Sequence, residues 1–408
     1  MKKYKIAVVG GGAAGLMAAI SAAESGLKGV AVFEGNVRCG TKILMSGGSR
    51  CNVTNESVNA GHYFGGSRNF IKNVLNAFGD KDAVKFFNSL GVELKLEGAG
   101  KYFPRDDQAS TVLNALLKRA KELGVEILLS SKVKNISFDG GCFTISAKGE
   151  EIQADKVIIT TGGKSYPSTG SDGTGYNFVR RFGHSVNEPF PALTPVLLND
   201  ARLTSLSGIT LQARLSLTLN GKRHLEMENS LLITHFGLSG PAALNISREV
   251  ERLKKENIEL LLNFIPQHTS ESLLALMQRQ IKMTSEKSVL NFFKEMLPSN
   301  LCSLLFDIAA ITQDKKFYSI SKEEVRRLVQ VFTSYRLKFT GVKGFKQAEV
   351  TAGGVPLSEV KYQTMESRLQ PGLYLAGEIL DVDGLIGGYN FQWAWSTGYI
   401  AGKAARGI

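Results

Sequence analysis

The stretch Lys5–Glu34, "KIAVVGGGAAGLMAAISAAESGLKGVAVFE", contains two short apolar runs separated by a longer segment of small residues. The runs KIAVV and VAVFE are rich in β-branched residues, which predicts two buried strands. The segment AAGLMAAISAAESG has helical apolar spacing and ends at Gly26, a residue type that commonly stops a helix. A strand, a helix and a second strand within about thirty residues predict a βαβ unit, and therefore an α/β fold with a parallel sheet.

Three glycines form the pattern G-x-G-x-x-G between the first predicted strand and the helix. Such glycines allow a tight turn, close approach of a pyrophosphate to backbone N–H groups, and close packing of the helix on the strand. Glu34 stands at the end of the second strand, where a carboxylate accepts hydrogen bonds from a ribose and would repel the 2′-phosphate of NADP. The loop therefore predicts FAD or NAD, without distinguishing them. The residues expected to line the cofactor here are Gly10, Gly12, Ala13, Ala14, Gly15 and Glu34.

A second glycine-rich segment, "GEILDVDGLIGGYNFQWAWSTGYIAG", occupies Gly377–Gly402. It predicts a strand end with Asp381 beside it, followed by two glycines that open a helix. A flavin needs hydrogen bonds along its ribityl chain and a helix N-terminus near N1, where reduction places negative charge. NAD needs no such distant second half, so the segment favours FAD and completes the site that begins at Gly10. The residues expected to contact FAD here are Gly377, Glu378, Asp381, Gly387, Gly388, Tyr389, Asn390 and Phe391.

The 408 residues exceed what one hydrophobic core usually supports, which predicts two or three domains. We expect a discontinuous Rossmann-like FAD-binding domain at 1–190 and 345–408. Alternating apolar and polar residues predict an inserted small β-barrel at 191–245 and 332–344. The stretch 246–331 has a helical and basic pattern, which predicts a second, helical insert.

The four cysteines form no C-x-x-C pair and no spacing typical of a metal site. We therefore expect no metal and a reducing, cytoplasmic compartment. No window approaches eighteen uninterrupted apolar residues, so no membrane span is expected.

Seven blocks of sequence, spread over nearly the whole chain, match one protein family. They are GGGAAG, GTKILMSGGSRCNVTN (Gly40–Asn55), YFPRDDQASTVLNAL (Tyr102–Leu116), TTGGKSYPSTGSDGTGY (Thr160–Tyr176), THFGLSGPAAL (Thr234–Leu244), TAGGV and the C-terminal segment. On these blocks the chain resembles the BaiN/RdsA family of FAD-dependent flavoproteins, a branch of the two-dinucleotide-fold enzymes that lacks a separate NAD(P)H domain. The chain departs from the family at Cys39 and Thr41, and at Ser49, where the family more often has a third glycine.

The resemblance implies further contacts with FAD. The backbone around Val133 is implied to contact the adenine, and Gly162 and Gly163 to lie against the cofactor. Because the family has one nucleotide domain, NAD(P)H is implied as a transient electron donor. The residues implied to line the pyrophosphate and the flavin edge are Lys42, Ser46, Gly47, Gly48 and Asn52.

Few side chains near the expected flavin could transfer a proton. Cys51 lies in the segment implied to line the ring, and is either a general acid or a small packed thiol. His235, in THFGLSGP, is either a general acid suited to neutral pH or a structural histidine. Tyr166 and Tyr389 could stack on a planar substrate, and Arg50 could bind an anionic substrate or a flavin phosphate.

The resemblance implies an oxidoreductase that transfers a hydride through flavin N5. The family includes members linked to reduction of steroid-type enones, to reduction of a uracil of ribosomal RNA, and to oxidation of a small aminoketone. We expect reduction of an activated C=C bond with NAD(P)H, with ribosomal RNA or a small molecule as substrate. An oxidase of a small amine and a non-catalytic flavin-binding protein are the alternatives.

The charge of the chain bears on the choice of substrate. The net charge is +12, and residues 248–346 carry 17 Lys and Arg against 11 Asp and Glu. Such an excess favours an RNA partner through neutralisation of phosphates. Against this, several of these cations have a glutamate three or four positions away, which would make them ordinary helix ion pairs.

Overall fold

The computed structural model describes residues 2–24, 26–283 and 286–407. The chain forms two compact units, one built from Met1–Pro191 and Glu349–Ile408 and the other from Ala192–Ala348. The boundaries expected at 190 and 345 lie within four residues of these limits. Among the residues with described positions, no helix is both long and apolar enough to cross a membrane.

The first unit contains the N-terminal part of the chain and its last elements. Its first strands are β1 (Lys3–Val9), β2 (Val30–Phe33), β3 (Thr54–Asn55), β4 (Tyr63–Gly65), β5 (Leu94–Glu97), β6 (Lys101–Pro104), β7 (Glu126–Leu128), β8 (Val133–Asp139), β9 (Cys142–Ala147), β10 (Glu150–Ile159) and β11 (Asn187–Ala192). Its first helices are α1 (Ala13–Ala23), α2 (Thr41–Ser49), α3 (Arg68–Ala77), α4 (Asp80–Ser89), α5 (Ala109–Glu122) and α6 (Thr174–Arg181).

In the sequence, the second unit comes between the two segments of the first. Its strands are β12 (Val196–Leu198), β13 (Thr210–Leu219), β14 (Lys222–Thr234), β15 (Gly237–Ser239), β16 (Ile258–Asn263), β17 (Tyr335–Arg336) and β18 (Phe339–Val342). Its helices are α7 (Ala201–Thr204), α8 (Gly240–Arg252), α9 (Ser270–Lys282), α10 (Val289–Lys294), α11 (Ser299–Ile308) and α12 (Lys322–Thr333). The first unit then resumes with β19 (Val350–Gly354), β20 (Leu373–Leu375), β21 (Val382–Gly384) and α13 (Tyr389–Ala405).

The main sheet of the first unit is the predicted Rossmann-type sheet. Its parallel strands follow the order β7-β2-β1-β10, and β9 and β8 continue it in antiparallel pairing. β9 pairs with the first half of β10, and β20 pairs in parallel with the second half. The predicted βαβ unit is confirmed as β1, α1 and β2. Because β1 and β2 are parallel neighbours, the glycine loop after β1 and Glu34 after β2 meet at the same edge of the sheet.

Helix α13 packs directly on α1, which buries the C-terminal helix in the first unit. A Cβ atom added to Gly398 would lie 2.5 Å from the carbonyl oxygen of Ala14, and one added to Gly402 would lie 2.1 Å from that of Ala18. These distances are shorter than van der Waals contact, so only glycine lets the two helix backbones approach this closely. The close contact joins the last helix of the chain to the first.

The second unit contains one seven-stranded sheet in the order β17-β16-β13-β14-β15-β12-β18. β16, with the sequence IELLLN, lies inside this sheet although the stretch 246–331 was expected to be helical. A short apolar run does not by itself distinguish a buried strand from a piece of buried helix, which explains the error. The sheet and the helices share one apolar core, so the two expected inserts form a single compact unit. Closure of the sheet into a barrel stays a prediction.

The close approach of α1 and α13 predicts the effect of adding one methyl group. Gly402→Ala should lower the free energy of unfolding by about 3 kcal/mol, because the new Cβ meets backbone that cannot move independently. Both tryptophans of the chain, Trp393 and Trp395, are buried on α13, so their fluorescence during urea denaturation reports the transition. The control is Gly98→Ala, whose Cβ would meet no heavy atom of the described residues within 4 Å; it should change stability by less than about 0.5 kcal/mol. Equal stability of the two variants would contradict the packing argument.

Candidate functional site

The glycine loop after β1 contains glycines of two kinds. Gly10 has φ 109°, and a Cβ on Gly15 would lie 1.9 Å from the carbonyl oxygen of Gly10, so the fold itself requires both residues. Gly12, the residue before α1, has an ordinary φ of −82°, and a Cβ there would meet no heavy atom of the described residues within 4 Å. Neither backbone conformation nor protein packing therefore requires glycine at this position. Open space at the N-terminus of a helix fits the diphosphate of a dinucleotide.

Glu34 is held by backbone N–H groups at the end of β2. The amide of Gly11 donates to Oε2 at 2.9 Å, and the amide of Asn36 donates to Oε1 at 2.7 Å. Burial raises the pKa of Glu34, although the N–H groups of Asn36 and Gly11 oppose the shift. Each carboxylate oxygen can accept a second bond, so the fixed side chain can still bind ribose hydroxyls. The amide of Ser131, two residues before Val133, donates to the carbonyl oxygen of Glu34 at 2.7 Å, which brings the expected adenine-contacting segment beside it.

The segment Ser46–Asn52 breaks the helical path of α2. Ser46 has ψ 152°, and Gly47 and Gly48 follow with φ values of 56° and 67°. Asn52 is buried, and its Oδ1 has no hydrogen-bond partner among the described residues. An orphaned buried acceptor costs about 1–3 kcal/mol, and an N–H or O–H group of FAD is a donor that would satisfy it.

The start of α13 lies against the same segment. A Cβ on Gly388, which has φ 97°, would lie 2.9 Å from the orphaned Oδ1 of Asn52 and 2.6 Å from the carbonyl oxygen of Thr54. The indole N–H of Trp395 donates to the carbonyl oxygen of Val53 at 2.9 Å. These contacts bring together the residues around Asn52 and the glycines that open α13, as the expectation of a two-part flavin site requires.

The other residues expected at the start of α13 have structural partners. Asn390 bonds through its side chain to both backbone groups of Gly384, and thereby fixes the turn before the helix. The rings of Tyr389 and His62 lie 4.6 Å apart between centroids, and Phe391 stacks on Trp395 at 5.6 Å. Gly387 has φ 129°, and its carbonyl oxygen accepts a bond from the Asn55 amide at 3.0 Å. The helix start is therefore rigidly placed.

Lys42 and Glu378 form an ion pair with each other. The ammonium of Lys42 lies 2.7 Å from Oε2 of Glu378 and donates to the Ser165 hydroxyl at 2.8 Å. Oε1 of Glu378 accepts from the Ser165 hydroxyl and from the amide of Thr351. Burial works against ionisation of Glu378, but the charge of Lys42 and the hydrogen bonds outweigh it and lower the pKa. The charge of Lys42 is thus matched within the protein.

The glycines around this pair are close-packed. Added Cβ atoms would lie 2.7 Å from the Ser171 hydroxyl at Gly162, 2.4 Å from the Thr351 hydroxyl at Gly163, and 2.8 Å from Cβ of Ala14 at Gly377. Packing of the protein explains these glycines, and their contact with FAD stays a prediction. The same holds for Asp381, whose carboxylate accepts from the Asn187 side chain at 2.7 Å.

Ser165 and Thr351 are functional candidates that the sequence analysis missed. The Thr351 hydroxyl accepts from the amides of Lys164 and Ser165, and its own amide holds Glu378. Both residues lie in blocks that match the family, TTGGKSYPSTG and TAGGV, which is the only sequence signal that points to them. Their partners are far away in the chain, so no local spacing indicates the network.

Cys51 and His235 were expected as alternatives for proton transfer. Cys51 is completely buried, and burial raises the pKa of its thiol to about 12. A protonated, enclosed thiol favours the packing role over the general acid. His235 lies in the second unit on the exposed hairpin between β14 and β15, with its ring 4.8 Å from Phe236. Its role stays a prediction.

A Ser–His–Glu array in the first unit resembles a hydrolytic triad in its distances. His184 lies 2.8 Å from both the Ser367 hydroxyl and the Glu359 carboxylate. The Ser367 hydroxyl is buried and accepts from the amides of Leu369 and Gln370, so it is fixed as a turn cap and is inaccessible to a substrate. Within the described ranges, no group of three or more His, Cys, Asp or Glu side chains is placed to hold a metal ion.

Comparisons with known proteins identify the family of the chain. The model of the HI0933-like protein Rossmann domain family matches residues 4–404. A 3-dehydro-bile acid delta(4,6)-reductase of Clostridium scindens is 34% identical over 404 residues, which cover 98% of each chain. A ribosomal RNA dihydrouridine synthase of Haemophilus influenzae is 36% identical over 399 residues, which cover 96% of each chain.

A solved structure shares the fold at low identity. The 3-ketosteroid-delta4-(5alpha)-dehydrogenase of Rhodococcus jostii aligns with a TM-score of 0.52 and 15% identity, and the alignment covers 100% of this chain and 97% of that one. The chain therefore belongs to the HI0933-like Rossmann family and is an FAD-dependent oxidoreductase.

Proposed function

We propose that the chain reduces a C=C bond conjugated with a carbonyl group, with NAD(P)H as the electron donor and FAD as the hydride carrier. The observation that carries the proposal is the pair of nearly full-length relatives, because a delta(4,6)-reductase and a dihydrouridine synthase differ in substrate but share this bond chemistry. Bound FAD would accept a hydride from NAD(P)H and pass it from N5 to the substrate. A cytoplasmic location fits the ribosomal RNA substrate named for one of these relatives.

The groups of the first unit suit the binding of FAD. The open space at Gly12 would take the diphosphate, and Glu34 would accept bonds from the ribose. The first N–H groups of α13 would face the end of the flavin that gains negative charge, since a helix N-terminus stabilises an anion. Asn52 would orient the flavin through its buried amide oxygen, and the Lys42–Glu378 pair would hold the surrounding loops.

A uracil in structured RNA and a small enone are the two candidate acceptors. The net charge of +12 supports RNA. However, several cations of the basic segments form ion pairs with acids close to them in the sequence, as expected if they are ordinary helix ion pairs. The pairs are Arg248 and Arg252 with Glu249, Lys254 with Glu251, and Arg326 with Glu323. Because exposed ion pairs contribute little, these pairs weaken the argument for RNA but leave the exposed cations able to contact phosphates.

Substitutions in the glycine loop test the FAD site. Gly12→Val should fold normally but be purified without flavin, because its side chain would occupy the open space assigned to the diphosphate. Gly15→Val should fold poorly, because its Cβ would collide with the carbonyl oxygen of Gly10. Flavin absorbance and the melting temperature of each protein are the measurements. Yellow, fully loaded Gly12→Val protein would contradict the assignment of this loop to FAD.

Anaerobic stopped-flow absorbance tests the reaction. NAD(P)H should bleach the flavin, with half-saturation toward the upper end of the usual range of about 1 μM–1 mM, because the described residues form no second nucleotide-binding βαβ unit that would bind it tightly. A conjugated enone or a uracil-containing ribosomal RNA fragment should then restore the oxidised spectrum. RNA turnover should fall steeply with added salt, whereas turnover of a neutral enone should not.

The controls for this experiment separate the alternatives. A saturated ketone, or RNA in which the uracils are already reduced, should leave the flavin bleached. Bleaching of the flavin by a small primary amine, with no reoxidation by any conjugated acceptor, would favour the amine oxidase and overturn the proposed reduction.

His235→Gln tests the predicted proton donor. If His235 protonates the substrate, the variant should reduce the enone roughly 100-fold more slowly, in line with the loss of one general acid. Bleaching of the flavin by NAD(P)H should be unchanged, because that step requires no proton from the protein. An unchanged rate in both half-reactions would show that His235 is a structural histidine and not the proton donor.

A further inference from the structure

Strained backbone is concentrated around Arg50. Ser49 and Cys51, on either side of it, have φ values of 67° and 62°, in the left-handed region that disfavours residues with a Cβ. Two further left-handed residues, Ala99 and Asp107, have φ values of 61° and 58°. Asp107 bonds to Arg50, and Ala99 lies two residues after its other partner, Glu97. Strain of this kind persists only where surrounding contacts enforce it, and it collects at functional sites.

Three contacts fix the Arg50 side chain. Its Nη1 lies 3.0 Å and 3.1 Å from the two carboxylate oxygens of Glu97 and 3.0 Å from Oδ1 of Asp107. Its guanidinium carbon lies 3.9 Å from the centroid of the Phe103 ring. Lys95 also bonds to Asp107, at 2.6 Å, so the acids are held from a second side. Arg50 already has carboxylate partners, which argues against its expected role as the anchor of an anionic substrate or a flavin phosphate.

The Phe103 ring connects Arg50 with the segment Ser46–Asn52, which is expected to face the flavin. The ring is buried, and its Cε1 lies 3.0 Å from where a Cβ on Gly47 would be. The ring thus contacts the guanidinium of Arg50 and also supports the backbone at Gly47. The backbone of Arg50 contributes as well, because its amide and that of Cys51 both donate to the carbonyl oxygen of Ser46. The segment Ser46–Asn52 is therefore fixed by hydrogen bonds within itself, and the Phe103 ring supports its backbone at Gly47.

We propose that Arg50 is a positioning residue that holds Ser46–Asn52 in its strained conformation, and so places the buried Oδ1 of Asn52 to accept a hydrogen bond from FAD. Arg50 itself does not contact the cofactor in this role. The inference rests on the proposed FAD site, and it adds the residue that organises the flavin-facing loop from outside. Ser49 is then a residue at which the loop is costly to hold, because a glycine would adopt its φ freely.

The test compares variants of Arg50 with a matched arginine. Arg50→Met should weaken FAD binding to the apoprotein on the order of tenfold, by loss of preorganisation. It should also shift the visible absorption of bound flavin, which a purely structural role would leave unchanged. Arg50→Lys should lie between Arg50→Met and the native protein, because lysine keeps the charge but not the planar, multiply bonded guanidinium. The control is Arg105→Met, which breaks an exposed pair with Glu93 near the same sheet and should leave both readouts unchanged.

A rescue experiment separates positioning from general stability. Adding Ser49→Gly to Arg50→Met should restore most of the lost FAD affinity, because glycine relieves the left-handed strain that Arg50 otherwise holds. Native FAD affinity in Arg50→Met, or no recovery in the double variant, would overturn the proposal. If Arg50→Met fails to fold, the comparison of Arg50→Lys with Ser49→Gly/Arg50→Lys gives the same decision. Failure of the native protein to bind FAD would instead reject the proposed function.

Discussion

The close contact between α1 and α13 is the constraint on which the first unit depends. Gly398 and Gly402 bring the backbone of the last helix against the carbonyl groups of Ala14 and Ala18 on the first. That contact fixes the position of α13 along α1 and the glycine loop. It thereby fixes the position of Gly388 beside Asn52. A small shift between the two helices would separate the expected diphosphate end of the site from its flavin end. The glycine-rich C-terminal segment is thus explained by packing as much as by chemistry.

A second feature of the site is that its charged groups are matched within the protein, whereas the buried Oδ1 of Asn52 is not. Glu34 accepts from two amides, and Lys42 and Glu378 neutralise each other. Asn52 retains a buried acceptor without a partner in the described part of the chain. A binding site whose own groups are already held by hydrogen bonds loses little conformational entropy when a ligand binds. The remaining acceptor is then free to orient the ligand, which is the role we propose for Asn52.

The sequence predicts the parts of this architecture that local patterns determine. The strands around Gly10–Gly15, the position of Glu34 and the helix after Gly388 follow from apolar spacing and glycine placement. Distant partners could not be predicted, because no spacing rule connects Lys42 with Glu378 or Arg50 with Glu97. The sequence also could not decide whether Cys51 is a general acid or a packed thiol, since the residues that bury it come from other segments. β16 was missed because a short apolar run fits a strand or a helix equally well.

We infer that the two glycine-rich segments, Gly10–Gly15 and Gly377–Gly402, form one FAD site. The most direct measurement is release of the bound cofactor from purified, denatured protein, followed by chromatographic identification and quantification against the protein concentration. We expect one FAD per chain, and apoprotein that recovers FAD in the presence of excess NAD. Bound NAD or FMN in place of FAD, or apoprotein that binds NAD at the Gly10–Gly15 loop and excludes FAD, would contradict it.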